Sequence, residues 1–146
     1  AAVADDIAYL THDFDDGLNA GILKINQIED LPIITKILKD IISKSKNITD
    51  QILTHEFVRK LVSILVNDII INTKKNLNTL NIHNVDSVRL NSEILVSFSK
   101  EKLIQLKIIR EFLLKKMWHH SIISETLRVF NPFECPIFIK LFIYFS

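Results

Sequence analysis

The stretch QILTHEFVRKLVSILVNDIIINTKKN, residues 51–76, decides the fold class. Its apolar positions Ile52, Leu53, Phe57, Val58, Leu61, Ile64, Leu65, Ile69 and Ile70 recur at helical spacing and cover a wide face. The pattern predicts a buried central helix. The β-branched run Ile69–Ile71 is a local counter-signal, because branching at Cβ favours strands.

Working outward, neither Gly nor Pro occurs between Pro32 and Pro132, and a long run without breakers points to long helices. Upstream, Val3, Ile7, Leu10, Phe14 and Leu18 predict a helix from Ala1 to about Ala20, with Gly21 as its C-terminal stop. A second helix is expected to begin near Gln27 or Leu31, with Pro32 in its first turn, and to run to about Ile42. Ser43–Asn47 reads as a loop, and Thr49 or Asp50 as the cap of the central helix. Downstream, the Asn-rich 76–91 reads as a connecting loop, with a short element starting at Asn91 or Ser92. Ser99 is the expected N-cap of a further helix reaching His120, with Leu103, Ile104, Leu106, Ile108, Ile109, Phe112, Leu113, Met117 and Trp118 as its apolar positions. Lys115, Lys116, His119 and His120 suit the negative end of that helix. The expectation is an all-α chain of about five helices. Residues 1–120 form one helical unit, and 121–146 form a divergent Phe-rich tail, read as frameshifted or else as a hydrophobic contact segment.

The chain has 146 residues, 48% of them hydrophobic and 24% charged, which fits an ordinary folded domain. A net charge of +1 gives no bulk field to attract nucleic acid. A single cysteine, Cys135, excludes an internal disulfide framework and a cysteine-based zinc site, and suggests a reducing, cytoplasmic setting. No apolar run approaches the roughly 18–20 residues that span a bilayer.

The first helix carries the most suggestive chemistry. Asp5, Tyr9 and Asp13 are four residues apart and fall on one stripe, and Asp16 returns to nearly the same azimuth. Three carboxylates and a phenol then oppose the apolar Val3, Ile7, Leu10 and Phe14. Carboxylate oxygen suits Mg²⁺ and Mn²⁺, and Fe²⁺ where imidazole shares the site. On spacing alone, a solvated acidic face near a helix N-terminus is the simpler reading. Elsewhere, adjacent His119 and His120 lack the spacing of helical metal ligands, and His55 and His83 are isolated. Cys135 has no basic helix terminus beside it to activate the thiol. Lys44, Lys46, Lys74 and Lys75 are scattered in the manner of solvated lysines.

The string Ala4-Asp5-Asp6-Ile7-Ala8-Tyr9, followed by Thr11-His12-Asp13-Phe14-Asp15-Asp16 and Ala20-Gly21, resembles a segment of the deoxynucleoside triphosphate triphosphohydrolases of the HD superfamily, the deoxyguanosine triphosphate triphosphohydrolase-like proteins. His55 to Leu61 with Val66-Asn67-Asp68-Ile69-Ile70, then Val96-Ser97-Phe98-Ser99, then Arg110-Glu111-Phe112-Leu113 to Met117-Trp118-His119-His120, are similar to later family segments. The likeness covers about residues 1–120.

The resemblance implies that Asp5 is the last ligand of a divalent metal (Mg, Mn or Fe) held by His, His, Asp and Asp. It implies that Tyr9 and Asp13 approach the substrate sugar. The reaction implied is dGTP plus water to deoxyguanosine plus triphosphate. The family's His and His-Asp motifs lie ahead of the Asp helix and are absent from this sequence. His12-Asp13 does not replace them, because adjacent helical side chains diverge by about 100°. The stretch is therefore expected to be catalytically incomplete, with weak metal binding. The alternative is a non-catalytic helical module. It would pair with an N-terminal companion chain, or with copies of itself, through the apolar faces around Phe57–Ile70 and Phe112–Trp118.

Overall fold

The computed structural model describes residues 2–44 and 48–118. In chain order the helices are α1 (Ala2–Asn19), α2 (Ile25–Ile28), α3 (Ile34–Lys44), α4 (Asp50–Thr79), α5 (Val85–Leu90) and α6 (Lys100–Leu113), which continues as a π-helical turn over Leu114–Trp118. The described residues contain no strand, so the all-α expectation holds. The Ile69–Ile71 run is helical, because packing outweighs the weak β preference of those side chains. His119, His120, Cys135 and the 121–146 tail lie outside the described residues.

The core is built on α4. Leu53, Phe57, Leu61 and Leu65 recur every fourth residue and are buried against α1 and α3. Phe14 of α1 meets Phe57 edge to face, with ring centroids 5.3 Å apart and planes at 89°. Ile34, Ile37, Leu38 and Ile41 contribute α3, and Leu106, Ile109, Leu113 and Met117 contribute α6 and the turn after it. Each such side chain taken fully out of water stabilises by about 1.5–3 kcal/mol.

Ends and connections carry most of the departures from expectation. Thr49 and Ser99 do cap α4 and α6, accepting from the amides of Ile52 at 3.4 Å and Lys102 at 3.3 Å. The expected second helix is two helices. Pro32 lies between α2 and α3, not in a first turn, and Ile33 takes φ +72°. A β-branched residue in that region is strained by about 1–2 kcal/mol. Burial of Ile33 and Ile34 offsets this strain. The supposed 76–91 loop includes the end of α4 and all of α5. Asn81 at φ +53° closes α4, with Ile82 N–H donating to the Leu77 carbonyl at 2.9 Å and Asn81 N–H to Asn78 at 3.2 Å. Asn84 then accepts from the amide and hydroxyl of Ser87, both at 2.8 Å, and starts α5. Asn91 ends α5 and does not open a new element.

Of the faces expected to pair with a companion chain, part is taken up by the chain's own core and part, including Val66 and Ile70, is exposed. Phe57, Leu61, Leu65, Leu113 and Met117 are buried within the chain itself.

Candidate acidic face on the first helix

α1 is amphipathic in the expected sense. Ile7, Leu10, Phe14 and Gly17 are buried against the rest of the core. Thr11 is buried too, and its hydroxyl donates to the Ile7 carbonyl at 2.8 Å and the Ala8 carbonyl at 3.1 Å, so its polarity is satisfied inside the helix. Gly17 is where α1 makes its closest approach. A Cβ there would stand 2.7 Å from Leu23 Cδ1, 2.9 Å from its Cγ and 3.1 Å from Met117 Sδ. Gly21, at φ +69°, turns the chain so that the Leu23 amide donates back to the Gly17 carbonyl at 2.8 Å.

The opposite face carries Asp5, Tyr9, His12 and Asp16, all exposed, with Tyr9 at 43%. Asp13 sits at the flank between this face and the buried Leu10 and Gly17, and is half-buried. That position has an electrostatic consequence. Burial, and then the nearby Asp16 carboxylate, push Asp13 from 3.8 up to about 6, while His12 pulls the other way.

Asp6, one residue from the acidic stripe, is a packing residue. Arg110 of α6 reaches it at 3.4 Å and ties the two helices together. Sequence reasoning also missed a polar row on α4. Asp68, Asn72 and Asn76, each four residues on, face the segment that leads into α6. Asp68 accepts from the Ser99 amide and hydroxyl, both at 2.8 Å. Asn72 donates to the carbonyls of Ser97 at 2.9 Å and Phe98 at 3.2 Å, and Asn76 to that of Leu95 at 3.0 Å. The signal was available in the sequence: three short polar side chains at helical period inside an otherwise apolar stretch.

The acidic face does not supply a whole metal site. Among the described residues no group of three or more His, Cys, Asp or Glu is arranged to hold an ion. Helix geometry gives the reason. Eight residues separate Asp5 from Asp13, a rise of about 12 Å, whereas oxygens sharing one ion each lie about 2.0–2.6 Å from it. Asp5 and Asp13 therefore serve different parts of any site they join. Among the described residues no helix is long and apolar enough to cross a membrane.

No protein-family model matches the chain. Individual proteins do. It is 36% identical over 129 residues to deoxyguanosinetriphosphate triphosphohydrolase-like protein 1 of Mesorhizobium japonicum, covering 88% of this chain and 31% of that protein. It is 35% identical over 124 residues to the deoxyguanosinetriphosphate triphosphohydrolase-like protein of Rickettsia rickettsii, 85% of this chain and 32% of that one. The like-named protein of Brucella anthropi is 37% identical over 122 residues, 83% and 30%. The chain thus spans about a third of the length of the curated relatives it matches. Over that third it is a homologue of the deoxyguanosinetriphosphate triphosphohydrolase-like proteins.

Proposed function

We propose that this chain is one portion, C-terminal in the family's order, of an HD-type, metal-dependent deoxynucleoside triphosphate triphosphohydrolase, and that it is inactive by itself. The intact reaction takes dGTP and water to deoxyguanosine and triphosphate. Water adds at the α-phosphorus, and the bond to the sugar 5′-oxygen breaks. The observation that supports the reading is the face of α1. Asp5 and Tyr9 stand on the side turned away from the buried Ile7, Leu10 and Phe14, with Asp13 half-buried at the flank of that face. In this reading Asp5 gives one carboxylate to a divalent metal whose other ligands come from the family's His and His-Asp motifs. Because the described residues do not close a metal site, no catalytic step is assigned to the chain alone. Tyr9 and Asp13 take the deoxyribose. With its carboxyl raised to about 6, Asp13 is mostly ionised at neutral pH and can accept a hydrogen bond from the 3′-hydroxyl, while the Tyr9 hydroxyl can donate one.

The test pairs the purified chain with the part of the Mesorhizobium japonicum relative that lies outside the matched segment. With Mn²⁺ and dGTP, the chain alone is expected to release no triphosphate, and the pair to release it. Asp5→Asn should lower the paired rate at least ~100-fold, as expected for loss of a metal ligand or a comparably large electrostatic contribution. Triphosphate release by the chain alone, or an Asp5→Asn pair as fast as the parent, would overturn the proposal. The incomplete ligand set also favours a second reading, a non-catalytic helical module that pairs with a companion chain or with itself. A pair that assembles without turnover would select it.

A further inference from the structure

α4 is 30 residues long, about 45 Å of helix, but its buried residues end at Leu65. A second apolar row runs along it at Val62, Val66, Ile69, Ile70 and Leu77; Val62 and Ile69 pack against the edge of the core, and Val66 and Ile70 are left exposed. Val62 and Val66 are one residue on from the buried Leu61 and Leu65, about 100° round the helix. Val66 is 39% and Ile70 46% exposed. A helix apolar on more than one side is usually the interior helix of a core larger than the one it already has.

We infer that this second row of α4 seats the polypeptide that makes up the other two-thirds of the relatives' length. The inference rests on the chain being a portion of that longer fold, and not on Asp5 binding a metal. Two observations favour this occupant over a second copy of the chain. α4 already carries α1 and α3 on its first face, which makes it the central helix of the unit. The chain also covers only about 30–32% of each relative, so most of the polypeptide able to cover a central helix lies outside it.

The test is co-purification of the tagged chain with the unmatched part of the Mesorhizobium japonicum relative, without metal or nucleotide. The parent chain should retain that piece. The double variant Val66→Asp with Ile70→Asp should lose at least 10-fold of the retention at unchanged helical circular dichroism. Ile104→Asp, on the exposed face of α6, should retain it in full. No retention by the parent chain would overturn both this inference and the proposed function. Retention that the double variant leaves intact would overturn this inference only. So would a parent chain that dimerises by itself and becomes monomeric in the double variant, since the row would then serve a second copy. Retention without turnover would leave this inference standing and remove the catalytic proposal.

Discussion

One carboxylate, that of Asp68, holds both the amide and the hydroxyl of Ser99 at 2.8 Å and so fixes where α6 begins. Ser99 in turn accepts from the Lys102 amide at 3.3 Å. The two residues act as one cap spread over two helices. Asp68→Ala is expected to destabilise the chain by about 2 kcal/mol, within the range for a hydrogen bond to a charged group, and Ser99→Ala by about 1 kcal/mol. Urea unfolding of both single variants and the double checks this. Because the pair shares its bonds, the double variant should lose less than the sum of the two.

Gly17→Ala and Gly21→Ala, the same change four residues apart, should fail for different reasons. At Gly17 the new methyl meets Leu23, itself 2% exposed and unable to withdraw into solvent. Overpacking of about 1–3 kcal/mol then outweighs the roughly 1 kcal/mol that alanine gains in a helix. At Gly21 nothing lies within 4 Å of the added Cβ, so the cost is the left-handed backbone alone, about 1 kcal/mol. Gly21→Asn should recover part of that loss in thermal melts, because asparagine tolerates the left-handed region, whereas Gly17→Asn should be worse than Gly17→Ala.

Asp13 makes stability pH-dependent. Its carboxyl is neutral in both states below about 3.8, and ionised in both above about 6. Between these values the unfolded chain has lost the proton and the folded chain has kept it, so this group's contribution to stability falls as pH rises. Asp13→Asn, which stays neutral, is therefore expected to melt higher than the parent at pH 7 and to match it near pH 3.5. Thermal melts across that range give the answer. A parent and variant that differ equally at both ends would show that the effect is not the carboxyl's titration.

Asp40 accepts from Lys60 of α4 and from Lys44 at 2.7 Å, joining α3 to α4 at a part-buried site. Lys60→Met should cost about 1 kcal/mol or less, since methionine keeps the apolar stem of this part-buried side chain in place and Asp40 keeps Lys44 and solvent, and any loss should shrink at high salt. A loss above 2 kcal/mol in urea unfolding would contradict this.

Much of this architecture was legible in the residues, and the reasons differ by element. The core face of α4 and the buried side of α1 follow from apolar spacing alone, because Leu53, Phe57, Leu61 and Leu65 admit one helical face. Thr49 and Ser99 announced two helix starts by their hydroxyls. The split between α2 and α3 was not legible. It depends on a left-handed Ile33, which local preference disfavours and only tertiary burial sustains. α5 was hidden because polar Asn, Asp and Ser read as loop, and its helix rests on the Asn84 cap with no buried residue. On the acidic face, the stripe of Asp5, Tyr9 and Asp13 could be drawn from spacing. That Asp13 alone of the three is half-buried depends on how far α1 is rotated against its neighbours, which spacing does not set.

The grip of Asn72 and Asn76 on the carbonyls of Leu95, Ser97 and Phe98 also bears on how the molecule opens. These bonds cross from one segment to another, so fraying of the far half of α4 releases the entry to α6 in the same event. In amide hydrogen exchange the two segments should then exchange at one common rate, as a single cooperative unit that opens more readily than the Phe14–Phe57 centre.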